Sequence, residues 1–367
     1  MLHLLVLGVA AMGGCADATS SPQEHVAPSP HAQSNDAGTT APDAGSGPGA
    51  ASPTPPSPLG LTPNTWAWLD VPGARCGNGS ATGIGVNVRP GATRVLLFLQ
   101  GGGACSDGAT CWTAPTAAHV ATGFGPADLE GEVVRAPFLF ARNDATNPFR
   151  DAHFVFVPYC TGDLHAGTGV ATYDVGGVPT DTYHYGARNL DAVLARIAGN
   201  LGALDRAWLV GESAGGFGTV VNQDAVSRAL GVRVDVVDDS GPPLRFSGTG
   251  YPPSWNVRLP AGCADCANGL DRVFAYQRLT HPTTRFAFVA FTSDTALPEF
   301  FGVTPAALEQ SIATLVTSFA AEPNAKSFLA IGSGHAVLGS AQGASPSLRR
   351  WLAQMATDDR AWSNAQF

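Results

Sequence analysis

Positive charge is scarce in this chain of 367 residues. Lys and Arg number 20 against 29 Asp and Glu, the formal net charge is −9, and charged residues of all kinds make up 13%. No basic cluster occurs, which excludes the neutralisation of phosphates that a nucleic-acid partner demands. No Gly-Lys-Ser/Thr follows a glycine-rich loop, so there is no nucleotide phosphate loop. "CADC", Cys263–Cys266, stands without a second Cys-x-x-Cys or a His-x-x-x-His. That is poor provision for zinc, and neither a metal nor a cofactor is expected. Internal repeats are absent too.

The opening segment "MLHLLVLGVAAMGGC" is too short to span a bilayer as a stable helix. It reads as a secretory signal, residues 1–15, in which "MGGC" resembles a bacterial lipoprotein box with Cys15 as the lipidated residue. No Lys or Arg precedes the apolar run, only His3, so ordinary cleavage near Ala16 is the alternative. Residues 16–64 are Ala, Ser, Pro, Gly, Thr and Asp with almost no large apolar side chains, the composition of a disordered linker. A catalytic domain over residues 65–367 completes a tethered or secreted arrangement. Six cysteines remain after Cys15: Cys76, Cys105, Cys111, Cys160, Cys263 and Cys266. An even number in an exported chain implies disulfides, with fifteen pairings open.

What the chain does have is apolar material, 44% of residues, arranged as alternating β and α patterns. Near-continuous apolar runs at Thr93–Gln100, Ala152–Cys160, Arg206–Gly211, Val232–Ser240, Thr284–Asp294 and Lys326–Gly332 suit strands buried on both faces of a mostly parallel sheet. Helical periodicity covers Gly186–Leu201, Ala214–Leu230, Thr304–Ala321 and Ser345–Met355. "AWLDVPGARCGNGSATGIGVNV" predicts an antiparallel hairpin at the first edge of that sheet. The fold class is therefore α/β, with helices on both faces of the sheet. Two long connections, Gly101–Arg150 and Ser240–Arg285, leave strand ends, where open α/β sheets place their ligands.

One of the strands runs into Gly211-Glu212-Ser213-Ala214-Gly215, and a helix pattern follows at once. Strand, G-x-S-x-G and helix are the parts of a nucleophile elbow, although a serine that only caps the helix would share the spacing. An elbow serine needs a base, an acid and oxyanion donors. His335 in "GSGHAVLG" follows the last strand, and Asp294 ends the strand before it, in the chain order Ser, Asp, His. Asp238 and Asp239 also close a strand and rank second to Asp294 as the acid. A surface-loop role for His335 and a helix-capping role for Asp294 are the alternatives. Gly101, Gly102 and Gly103 follow the first core strand, where glycine lets backbone N–H groups approach a substrate oxygen. Gly102, Gly103 and the N–H of Ala214 at the helix start are the candidate oxyanion hole.

Taken together, these blocks resemble the pectinacetylesterase/Notum family of α/β-hydrolase carboxylesterases, from about Cys76 to Gly339. "QGGGACSDGATCW", "PYCTGDLHAG", "HYGARNLDAVL", "GESAGGFG", "DDSG" and "GSGHAVLG" carry the likeness. The resemblance implies an α/β-hydrolase fold with disulfide-tied loops, Ser213 as nucleophile, His335 as base and Asp294 as acid. It also implies pairing Cys105 with Cys111 and Cys76 with Cys160, leaving Cys263 with Cys266. Ala104 departs from the Trp that plant members usually carry there. The activity implied is a serine carboxylesterase acting on an acyl ester, an acetyl group on a polysaccharide in the first instance. Because the chain is acidic, a neutral acetylated glycan suits it at least as well as polyanionic pectin. The rival class is a non-catalytic surface module that binds glycan or a partner through an inherited hydrolase fold.

Overall fold

The computed structural model describes residues 58–134, 137–245 and 250–367. The expected signal segment, Cys15 and the expected linker up to residue 57 lie outside the described residues. Eleven strands are present among the described residues: β1 (Trp66–Arg75), β2 (Ala81–Asn87), β3 (Arg94–Leu99), β4 (His153–Val157), β5 (Gly169–Val175), β6 (Val178–His184), β7 (Arg206–Glu212), β8 (Arg233–Asp239), β9 (Phe286–Asp294), β10 (Ala325–Gly334) and β11 (Ala365–Gln366). The helices are α1 (Pro126–Val133), α2 (Pro137–Phe140), α3 (Gly186–Ile197), α4 (Ala214–Leu230), α5 (Leu270–Thr280), α6 (Leu297–Phe301), α7 (Pro305–Phe319) and α8 (Pro346–Ala356).

Nine strands form one sheet in the order β1-β2-β4-β3-β7-β8-β9-β10-β11. β2 runs antiparallel to β1 and β4, and every other neighbouring pair is parallel. This is the mostly parallel, α/β-hydrolase-like sheet with a hairpin at its first edge. The apolar continuity of "RVLLFL" and "HFVFV" follows from burial on both faces. Leu96 and Phe98 of β3 pack on the side that carries Trp351 and Leu352 of α8. Val95, Leu97 and Leu99, one residue out of step, pack with Leu190, Val193 and Leu194 of α3. The period of two thus divides one strand between two cores.

Local chemistry places the helices. Thr304 accepts from Ala307 N with Pro305 at the first turn of α7, and Ser345 accepts from Leu348 N with Pro346 at the first turn of α8. Both follow the preference for a hydroxyl cap followed by proline. Gly231, at φ +67°, ends α4 in the left-handed conformation that glycine adopts without strain.

Several elements were not expected. β5 and β6 form a separate two-stranded hairpin, and α5 lies inside the connection Ser240–Arg285. A five-residue π-helical turn, Ala109–Thr113, interrupts the connection Gly101–Arg150. Three disulfides join Cys76 to Cys160, Cys105 to Cys111 and Cys263 to Cys266. Among the described residues no group of His, Cys, Asp or Glu could hold a metal, and no helix is long and apolar enough to cross a membrane.

Because β3, β7, β8, β9 and β10 all run the same way, their C-terminal ends share one edge of the sheet. Gly101–Gly103, Ser213, Asp239, Asp294 and His335 all leave from that edge.

Candidate active site

Ser213 sits between the last residue of β7 and the first of α4, at φ +53° and ψ −120°. Such a backbone is costly for a residue with a side chain and persists only when its surroundings enforce it. Ser213 N donates to Asp239 O at 2.7 Å, and Ser213 O accepts from Phe217 N at 3.1 Å. The elbow glycines permit this crowding: a Cβ on Gly215 would lie 1.9 Å from Leu99 O, inside the neighbouring strand's backbone. The Ser213 side chain makes no capping bond to α4. Its Oγ lies instead 2.8 Å from His335 Nε2.

His335 leaves the end of β10, and its Nδ1 lies 2.8 Å from Asp294 Oδ2 and 3.1 Å from Oδ1. Asp294 ends β9 with a fully buried side chain, and its Oδ1 also accepts from Ala296 N and Leu297 N at the start of α6, both at 2.9 Å. It therefore holds a helix start and an imidazole at once. With a carboxylate beside Nδ1, the ring's proton is assigned to Nδ1, which leaves Nε2 as an acceptor facing Ser213 Oγ. Burial pulls the His335 imidazole down. The hydrogen bond and charge of Asp294, with the charges of Asp239 and Glu212, outweigh it and hold the ring above the ordinary histidine value.

Neither rival carboxylate touches the imidazole. Asp238 Oδ1 accepts from Gly241 N at 2.9 Å, and Asp239 accepts from Val337 N and Leu338 N, just past His335 in the chain.

The glycine loop after β3 is fixed through its carbonyls. Gly102 O accepts from Ala118 N at 2.7 Å, and Gly103 O accepts from the Tyr159 hydroxyl at 2.8 Å. A planar trans peptide points its C=O and N–H in opposite directions, so the Gly103 N–H faces away from Ala118. Gly103, at φ +74°, has Thr116 O where a Cβ would stand, at 2.0 Å. Behind the loop, Gln100 O accepts from His165 Nε2 and Gln100 Oε1 from Tyr159 N, both at 2.9 Å. Burial keeps His165 below the ordinary histidine value, which suits its service as a neutral donor. Tyr159 and His165 lie in the "PYCTGDLHAG" block, but their roles depend on contacts some sixty residues back in the chain and carry no local signal.

Two cavities of about 480 Å³ meet at Ser213 and His335. One is lined by Gln100, Gly102, His119, Glu132, Glu212 and Ser340. The other is lined by Ala104, Leu164, Ala214, Phe217, Leu297 and Phe300. A smaller space of about 220 Å³ shares Ala104, Leu164 and Phe300 and adds Tyr251, Trp255 and Phe301. Trp255 Nε1 donates to Cys105 O at 2.8 Å, tying this wall to the disulfide beside the glycine loop. Gly103 lines both large cavities.

Residues 67–247, which span the glycine loop and the elbow, match the family model described as pectinacetylesterase. The chain belongs to the pectinacetylesterase/Notum family. Its Notum relatives include the palmitoleoyl-protein carboxylesterase NOTUM of Schmidtea mediterranea, 28% identical over 163 residues, 42% of this chain and 29% of the relative. Palmitoleoyl-protein carboxylesterase notum1 of Xenopus laevis is 28% identical over 178 residues, 45% of this chain and 34% of the relative. The NOTUM of Mus musculus is 26% identical over 170 residues, 42% of this chain and 30% of the relative. The chain thus spans about a third of the length of the Notum relatives it matches. Asp294 and His335 lie beyond the stretch matched by the pectinacetylesterase model, and their juxtaposition with Ser213 is a finding of the structure alone.

Proposed function

We propose that this chain is an exported serine carboxylesterase that hydrolyses an acyl ester, an acetyl group on a polysaccharide being the substrate that the family model's description favours. The observation that carries the reading is the 2.8 Å approach of Ser213 Oγ to His335 Nε2, with Asp294 Oδ2 2.8 Å from Nδ1 on the other side of the ring. Ser213 Oγ attacks the ester carbonyl while its proton passes to Nε2. The N–H groups of Gly102, Gly103 and Ala214 receive the oxyanion, and Asp294 stabilises the imidazolium. The imidazolium then protonates the departing alcohol. Water, giving a proton to Nε2, attacks the acyl-serine, and that proton passes from Nε2 to Ser213 Oγ as the acid is released.

The cavity walled by Ala104, Leu164, Phe217, Leu297 and Phe300 suits the acyl group, and the one that carries His119, Glu132 and Glu212 suits the alcohol. The volume of the cavity beside Phe217 and Phe300, about 480 Å³ with a further 220 Å³ adjoining it, favours a second reading, an acyl chain longer than acetyl. The names of the Notum relatives, palmitoleoyl-protein carboxylesterases, point the same way. Export is part of the proposal because three disulfides suit an oxidising compartment. Lipidation at Cys15, with a cell-envelope location, is the form of export proposed, and secretion after simple cleavage is the alternative.

The test is turnover of p-nitrophenyl esters from C2 to C16, then of acetylated polysaccharides, with fluorophosphonate labelling of the serine. Ser213→Ala should abolish both turnover and labelling while the melting temperature stays near that of the parent. Full turnover in the purified variant would overturn the assignment. A maximum at C2 supports the acetyl reading, and a maximum at longer chains supports the second.

A further inference from the structure

Asp239 closes β8, the strand that lies between the one ending in the nucleophile and the one ending in Asp294. Its main-chain carbonyl accepts the Ser213 N–H at 2.7 Å. Its side chain reaches the loop of the base: Oδ1 accepts from Val337 N at 2.9 Å and Oδ2 from Leu338 N at 2.7 Å. Ser240 extends the contact, donating its hydroxyl proton to Asp239 Oδ1 at 3.1 Å and accepting from Ala336 N at 3.2 Å. The three N–H groups that follow His335 are therefore all held by two consecutive residues of β8's end. Ala336 stands at φ +62° and Ser240 at φ +59°, left-handed conformations that need such enforcement.

We propose, resting on the esterase reading above, that Asp239 is a positioning residue which fixes the elbow and the histidine loop to each other and so sets the Ser213–His335 distance. Only a carboxylate offers acceptors to both N–H groups without presenting a donor. An asparagine turns an amide N–H toward one of them. Burial pushes Asp239 up to about 6, against the lowering effect of the Leu338 and Val337 N–H groups, so it is ionised at neutral pH. Burial pushes the adjacent Asp238 well above the ordinary carboxylate range, against the lowering effect of the Gly241 N–H. The charges that raise His335 are then Asp294 from β9, Asp239 from β8 and Glu212 from β7.

The experiment uses Asp239→Asn, measuring its melting curve, its steady-state turnover of a short p-nitrophenyl ester across pH, and its fluorophosphonate labelling rate. Loss of position should lower kcat by about a hundredfold, the scale of a 1 Å misplacement, with KM nearly unchanged. Loss of the Asp239 charge should also move the acid limb of kcat/KM to lower pH, which a packing role alone would not do. A kcat within about threefold of the parent and an unmoved acid limb would overturn the proposal. If Asp239→Asn does not fold, Ser240→Ala removes the acceptor of Ala336 N and spares the carboxylate. It should lower kcat several-fold with KM and the acid limb unchanged, and parental kcat in it would overturn the proposal. A parent protein that is neither labelled nor active overturns the esterase reading, a result separable from failure of the clamp in an active parent.

Discussion

Replacing Asp294 with Asn tests the chemistry with almost no change of shape. Asp294 Oδ1 accepts two backbone N–H groups, those of Ala296 and Leu297, and the side chain is fully buried. The Asn amide can sit two ways. With its NH2 group against those N–H groups, two buried donors lose their acceptor, at about 1–3 kcal/mol each. With its oxygen there instead, the amide donates to His335 Nδ1, the lower-energy choice. Nδ1 must then be an acceptor, the ring proton moves to Nε2, and Nε2 no longer accepts the Ser213 proton. Holding the imidazole in this wrong tautomer costs about 10⁴-fold in kcat in a serine triad. At 1.36 kcal/mol per decade that is about 5.4 kcal/mol of the barrier. The assay is p-nitrophenyl acetate turnover, normalised to folded protein by circular dichroism and mass. Turnover within about tenfold of the parent would refute the role given to Asp294, and a larger loss in Asp239→Asn than in Asp294→Asn would move the acid one strand back.

Two further outcomes follow from the same geometry. The base must be neutral to accept a proton and His335 is held above its ordinary value, so kcat/KM should rise with pH with a midpoint above about 6.5, read from a pH–rate profile. For stability the sign is the opposite: a raised histidine stabilises the fold fully below about 6.5, and that contribution is lost as pH rises through the folded-state value. Melting curves in that window should show a smaller pH dependence in Asp294→Asn. Separately, Gly103→Ala would drive a methyl to 2.0 Å from Thr116 O at a φ of +74°. It should lower both the melting temperature and kcat, the latter by about 10²–10³-fold if an oxyanion donor is displaced, measured on the C2 ester.

The alternation of strand and helix was legible because β3, β4, β7 and β8 are buried on both faces and so write continuous apolar runs. The elbow, Asp294 and His335 were legible because strand ends and glycines mark them locally. The hairpin of β5 and β6 was not, since β5 alternates between half-buried and exposed residues and the pair adds no strand to the main sheet. Helix α5 lies hidden inside the long connection Ser240–Arg285, although Leu270, Val273, Phe274 and Gln277 all bury one face. Tyr159, His165 and Asp239 act through partners between 56 and 99 residues away, and no local pattern records such contacts.

The groups proposed to react stand on the ends of β7, β9 and β10, whereas much of the cavity wall comes from connecting segments, Ala104, Leu164, Tyr251, Trp255 and the turn of α6, with Ala214 and Phe217 of α4 beside them. Reactivity and selectivity are therefore written largely, though not wholly, in separate parts of the chain. Substitutions in α6 or at 250–255 can reshape the space proposed for the acyl group while the sheet keeps Ser213, His335 and Asp294 in register. A library confined to those wall positions would change which ester is cleaved before it changed how cleavage occurs, which makes this edge of the sheet a natural starting point for re-targeting.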